Sequence, residues 1–144
     1  MSSFKAFDIA GSGMSAQSVR LNTTASNLAN AESVSGDPTT VYKPRHPIFE
    51  AVRAQLAAGA AGKDANADAA VRVSGIYESQ APALKRYEPG NPLADGNGYV
   101  YAPSVNTVEE MVNMISASRS YQNNVEVMNT SKDLLLATLR LGQG

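Results

Sequence analysis

Side chains able to do acid–base, nucleophilic or metal chemistry are sparse here, and their spacing does not gather them. His46 is the only histidine of the 144 residues and there is no cysteine. A two-imidazole metal site, a zinc–thiolate site, thiol catalysis and disulfides are therefore excluded within one copy. With Lys43, Arg45 and Pro47 beside it, His46 reads as a surface residue of a basic loop. Serines are plentiful, but no G-x-S-x-G sequence marks one as a nucleophile, and Gly11-Ser12-Gly13 lacks the strand–turn–helix setting such a serine needs. The glycine-containing stretch ending at Gly62-Lys63 departs from the phosphate-loop pattern twice. Ala57 stands where the first glycine belongs, and Asp64 where the metal-binding hydroxyl belongs.

Glu109-Glu110 are adjacent on a predicted helix and so point about 100° apart, and first-turn carboxylates are explained by the helix dipole. Asn22-Thr23-Thr24 and Asn129-Thr130-Ser131 match the glycosylation sequon, yet both fall inside helical patterns instead of surface loops. The sequence thus predicts no catalytic residue, no cofactor and no metal. The asparagines carry more information. Asn22, Asn27 and Asn30 lie on or near one helix, and Asn123, Asn124 and Asn129 on another, although asparagine competes for backbone hydrogen bonds and forms helices poorly. Either they are solvent-facing, or they form inter-helix hydrogen bonds that fix register; the second reading is favoured.

The elements that would position these residues are two helices and an insert. From Phe4 to Ala31, Phe7, Met14, Leu21 and Leu28 recur every seven residues, with Phe4, Gly11, Ser18 and Ala25 at the complementary positions. The glycines at 11 and 13 predict a bend or a late start, since each costs about 0.8–1 kcal/mol in a helix interior. The second run, Thr107 to Leu141, follows Pro103 and ends at Gly142. Met111, Met114, Ser118, Tyr121, Val125, Met128, Lys132, Leu135 and Leu139 form its seam. Such a helix reaches on the order of 50 Å. Between the two lie an extended segment at 42–52, short β signals at Val71-Arg72-Val73 and Ile76-Tyr77, and a turn at Asp95-Gly96-Asn97-Gly98 before Tyr99-Val100-Tyr101. Residues 53–70 are half alanine and read as a mobile surface loop. The expected fold class is mainly α with a small β insert: 1–35 and 105–144 pair as a coiled-coil-like inner domain, and 36–104 form a β-rich middle region.

Composition points the same way. Of 62 apolar residues, 22 are alanine, and there are three Phe and no Trp. Burying a large apolar side chain contributes roughly 1.5–3 kcal/mol while ordering each residue costs about 1–2. A core this thin calls for burial against neighbouring subunits. A net charge of −1 with dispersed basic residues argues against nucleic-acid binding. No apolar run approaches a membrane span, and the first residues lack the pattern of a cleavable signal peptide.

Ser15 to Asn22, running into Ala25-Ser26-Asn27-Leu28-Ala29-Asn30-Ala31, resembles the N-terminal motif of the bacterial flagellar axial proteins, whose rod and hook members share an A-x-N-L-A-N core. Ser116 to Asn124 resembles the family's C-terminal helix motif, with Asn123 where alanine is usual. Tyr87-Glu88-Pro89-Gly90-Asn91-Pro92 with Gly98-Tyr99-Val100, Phe7-Asp8-Ile9-Ala10-Gly11-Ser12 and the ending Leu139-Arg140-Leu141-Gly142-Gln143 resemble the proximal-rod branch. The resemblance implies a structural subunit of the basal-body rod that packs into a helical tube, transmits torque and lines the export channel. It also implies a periplasmic location, export through the flagellar type III apparatus, and partners that are further copies and neighbouring rod proteins. The expected assembly interface is Phe7, Met14, Leu21, Asn22, Asn27, Leu28 and Asn30 on the first helix, with Met111, Met114, Tyr121, Asn124, Val125, Met128, Leu135 and Leu139 on the second. The alternative is a soluble helical-hairpin adaptor or chaperone that grips a partner through Met111, Met114 and Met128.

Overall fold

The structure is a computed structural model that describes residues 3–53 and 69–142. Its elements run α1 (Ser3–Ala29), β1 (Arg45–Arg53), β2 (Ala69–Glu78), β3 (Leu84–Tyr87), β4 (Tyr99–Ala102) and α2 (Thr107–Leu141). Two long helices thus bracket two separate antiparallel two-stranded sheets, β1–β2 and β3–β4. This is the expected mainly-α class.

Helix α1 does not start late at its glycines: its 27 residues are continuous. Packing overrides the propensity penalty here, because α1 lies against α2 along its length, and Ser12 Oγ bonds back to the Ile9 carbonyl at 2.8 Å. Helix α2 has the predicted bounds. It starts at the N-cap Asn106, whose side-chain oxygen accepts from the N–H groups of Val108 and Glu109. Gly142 closes it in a right-handed conformation, its N–H reaching the Thr138 carbonyl.

The middle region is more regular than its sequence suggests. The two β signals at 71–73 and 76–77 belong to one ten-residue strand, β2. It pairs with β1 from Arg45↔Glu78 to Arg53↔Ala69, and an irregularity at Ile48/Phe49 absorbs the Ser74-Gly75 interruption. The ends of the alanine-rich stretch therefore lie in strands; the rest of that predicted loop falls outside the described residues. His46 sits in β1, exposed as expected but in a strand and not a loop. Strand β3 has no clear sequence signal: all four of its residues are exposed, so no apolar alternation develops. It is held to β4 and closed by the predicted turn, where Gly98 takes φ = 81° and its N–H meets the Asp95 carbonyl at 2.9 Å. Ser35 bridges the far edge of β4 through both backbone bonds to Tyr101, tying the chain after α1 to this sheet.

The core is thin and made of small residues. Among the described residues its buried apolar members are Ala10, Ala16, Ala31, Val100, Ala102 and Ala117.

Candidate assembly interface

Contacts at Asn27–Glu110, Arg20–Asn113 and Gly13–Asn124 fix α1 and α2 as an antiparallel pair. Small side chains make the approach close. Ala10 and Ala16 on α1 and Ala117 on α2 are buried, and a Cβ added to Gly13 would stand 2.8 Å from Asn124 Nδ2. At Gly11 the same atom would meet only Met128 Cε, at an ordinary 3.9 Å. The GSG sequence that resembled a helix breaker is a docking notch for α2.

Asn27 is the anchor of the pair, with no exposed surface. Its Oδ1 accepts from the Arg45 N–H (2.8 Å) and the Tyr42 hydroxyl (2.9 Å). Its Nδ2 donates to the Arg45 carbonyl (2.9 Å) and Glu110 Oε2 (3.1 Å). One amide thus uses its full bonding capacity to join α1, β1 and α2. Burial pushes the Tyr42 hydroxyl above its ordinary pKa, assisted by the charges of Glu110 and Glu78 and opposed by Arg45, so it stays a donor. Glu110 is itself buried in the first turn of α2, its Oε2 accepting from the Asn27 amide. Glu109 beside it is exposed.

Of the residues predicted at the interface, the structure brings Asn27 against Glu110, Asn124 against Gly13, and Met128 near Gly11. Phe7, Met14, Leu21, Leu28, Met114, Tyr121, Val125 and Leu135 are half-buried. Asn22, Met111 and Leu139 are exposed, and Asn30 bonds within its own helix, to the Ser26 carbonyl. The asparagines thus divide: Asn27 fixes inter-helix register, while Asn22, Asn123 and Asn129 face outward. Sequence reasoning missed Glu110, read as one more dipole carboxylate, and the pairing of Arg20 with Asn113 at 3.0 Å. It also missed the N-cap, although Asn106 followed by Glu109 three residues later is a capping signature.

Among the described residues there is no group of three potential metal ligands, and no helix is long and apolar enough to cross a membrane. The outer face of α2 instead carries apolar side chains that nothing covers: Val108, Met111, Val112 and Ile115 at its start, and Leu134, Leu136, Leu139 and Leu141 at its end.

Comparison with known proteins bears on both helices. Residues 7–36 match the family model described as flagella basal body rod protein, and residues 97–141 match flagellar basal body rod FlgEFG protein C-terminal. The chain is 53% identical over 137 residues to the flagellar basal-body rod protein FlgC of Salmonella typhimurium, covering 95% of this chain and 96% of that one. It is 54% identical to FlgC of Escherichia coli O157:H7 with the same coverage, and 41% identical over 139 residues to FlgC of Aquifex aeolicus, covering 96% of each. With likeness extending through both helices and the region between them, the chain belongs to the FlgC family of flagellar basal-body rod proteins.

Proposed function

We propose that the chain is a structural, non-catalytic subunit of the proximal rod, packing with further copies and neighbouring rod proteins into a helical tube that transmits torque and lines the export channel. The observation that carries this reading is the uncovered apolar surface of α2 on a chain of this family. A helix apolar on several sides needs cover. The side chains buried between α1 and α2 are mostly small or polar, so the pair supplies little apolar burial of its own. Residues 1–35 and 105–144 form the inner, assembling part, and 36–104 face outward. The exposed Asn22, Met111 and Leu139 meet neighbours directly. The half-buried Phe7, Met14, Leu21, Leu28, Met114, Tyr121, Val125, Met128 and Leu135 hold the pair in the shape that neighbours read. The chain reaches the periplasm through the flagellar export apparatus.

Basal bodies purified from cells lacking this chain test the reading. Rods are expected to be missing beyond the inner-membrane rings; complete rods in its absence would overturn the proposal.

A further inference from the structure

The turn that closes β3–β4 holds two side chains whose carbonyl carbon lies within reach of the next backbone nitrogen. Asp95-Gly96 and Asn97-Gly98 are the chain's only Asp-Gly and Asn-Gly pairs, and glycine, with no Cβ, leaves its own nitrogen unshielded. Asp95 is occupied. Its Oδ1 accepts from the N–H groups of Asn97 and Tyr99, both at 2.9 Å, and its Oδ2 lies 3.4 Å from the Tyr101 hydroxyl. These donors keep it ionised at neutral pH, and a carboxylate is a poor electrophile. The Asn97 side chain is the opposite case: it is exposed, and its amide makes no hydrogen bond among the described residues. Nor is Gly98 open to a shielding side chain. Its φ is 81°, and a Cβ would stand 3.0 Å from Tyr87 Cε2 and 3.2 Å from Pro89 Cβ. The residue that the turn demands is thus the one that exposes Asn97 to attack. One bond restrains it: the Gly98 N–H donates to the Asp95 carbonyl at 2.9 Å, and the nitrogen must give up that proton to react.

We infer that Asn97 is a site of spontaneous deamidation in the folded chain, with the turn built on Asp95 as its brake. The Gly98 nitrogen loses its proton and bonds to Asn97 Cγ; the Cγ–Nδ2 bond breaks, and ammonia leaves with that proton. Water then opens the five-membered imide at either carbonyl, giving an aspartyl or an isoaspartyl residue with no change of oxidation state. The isoaspartyl product carries one more backbone atom between Asp95 and Tyr99. It pulls apart the two N–H groups that Asp95 Oδ1 holds together. The loosened turn weakens β4, to which Ser35 ties the chain after α1 through both backbone bonds to Tyr101.

The test is incubation of the purified full chain at mildly alkaline pH, folded and in urea. Peptide mass spectrometry reads the conversion of amide to acid, and a protein-isoaspartate methyltransferase labels the isoaspartyl product. Conversion is expected at Asn97 ahead of every other asparagine, with Asp95-Gly96 unchanged. It is expected to run about ten- to a hundredfold more slowly in the folded chain than in urea, where the Gly98 N–H is released. Asn97→Gln is expected to abolish the isoaspartyl label. Asp95→Ala, checked for its native helical signal by circular dichroism, is expected to speed conversion of the folded chain at least about threefold, because the turn loses two hydrogen bonds. A folded chain that yields no product over an incubation beyond that range, or that converts first at another residue, overturns the site. Equal rates in the folded and unfolded chains, or a folded Asp95→Ala variant no faster than the parent, overturn the brake.

Discussion

Asn27 shows how much one polar side chain can hold in a chain with so little apolar core. Its four hydrogen bonds join α1, β1 and α2, and one of them satisfies the buried Glu110 carboxylate. Asn27→Ala is expected to destabilise the helix pair by on the order of 3 kcal/mol, because it strands the buried Glu110 side chain and a backbone N–H together; urea denaturation followed by circular dichroism reads the loss. Gly13 and Gly11 separate packing from propensity. Gly13→Val must displace Asn124 and is expected to disrupt the pair, whereas Gly11→Ala has room and is expected to be neutral or to stabilise by up to about 1 kcal/mol. The same denaturation curves distinguish them. Asp95 and Asp37 give the middle region a pH dependence. The Tyr99 N–H, then that of Asn97, Lys85 and the Tyr101 hydroxyl, hold the Asp95 carboxyl below its ordinary value; the N–H and hydroxyl of Thr39 do the same for Asp37. Depressed folded pKa values contribute stability at neutral pH that is lost as pH falls below about 4 and through those values. The near-ultraviolet signal of Tyr99 and Tyr101 is expected to decline there, and Asp95→Asn to flatten that dependence.

Among the elements, the two helices were legible in the sequence because amphipathic runs and end signals coincide, down to the bounds of α2. The strands were legible where β-branched residues and turn chemistry met, as at Tyr99–Ala102 after Gly98. Strand β3 escaped because its stability comes from β4 and from the edge-on Tyr87–Tyr99 contact, 5.1 Å between ring centres, and not from a buried face of its own. The α1–α2 seam was only partly legible for a related reason. Heptad reading weights large apolar residues, while the buried positions of α2 are Glu110, Ala117 and Ser131, which pack by smallness or hydrogen bonding. The cap of α2 offers a direct test of element stability. Asn106→Ala is expected to cost about 1 kcal/mol and Asn106→Asp to retain most of it, as measured by the helical signal against temperature.

Taken whole, the molecule leaves its apolar ends to be completed by others. Isolated helices draw most of their stability from packing, so the dilute chain is expected to show protease-sensitive helix ends and a helical signal that grows with concentration. Full helicity with resistant ends at low concentration would contradict this. The antiparallel pairing has a further consequence for timing. Helix α1 occupies residues 3–29 and its partner α2 residues 107–141, so the first helix has nothing to close against until almost the entire chain is available. Asn27 waits for Glu110, and the notch at Gly13 waits for Asn124. A chain delivered end-first through a narrow passage would stay open, and unable to engage neighbours prematurely, until its last helix emerged. In such a delivery the pairing would act as a completion check, set by the order of the two helices in the sequence.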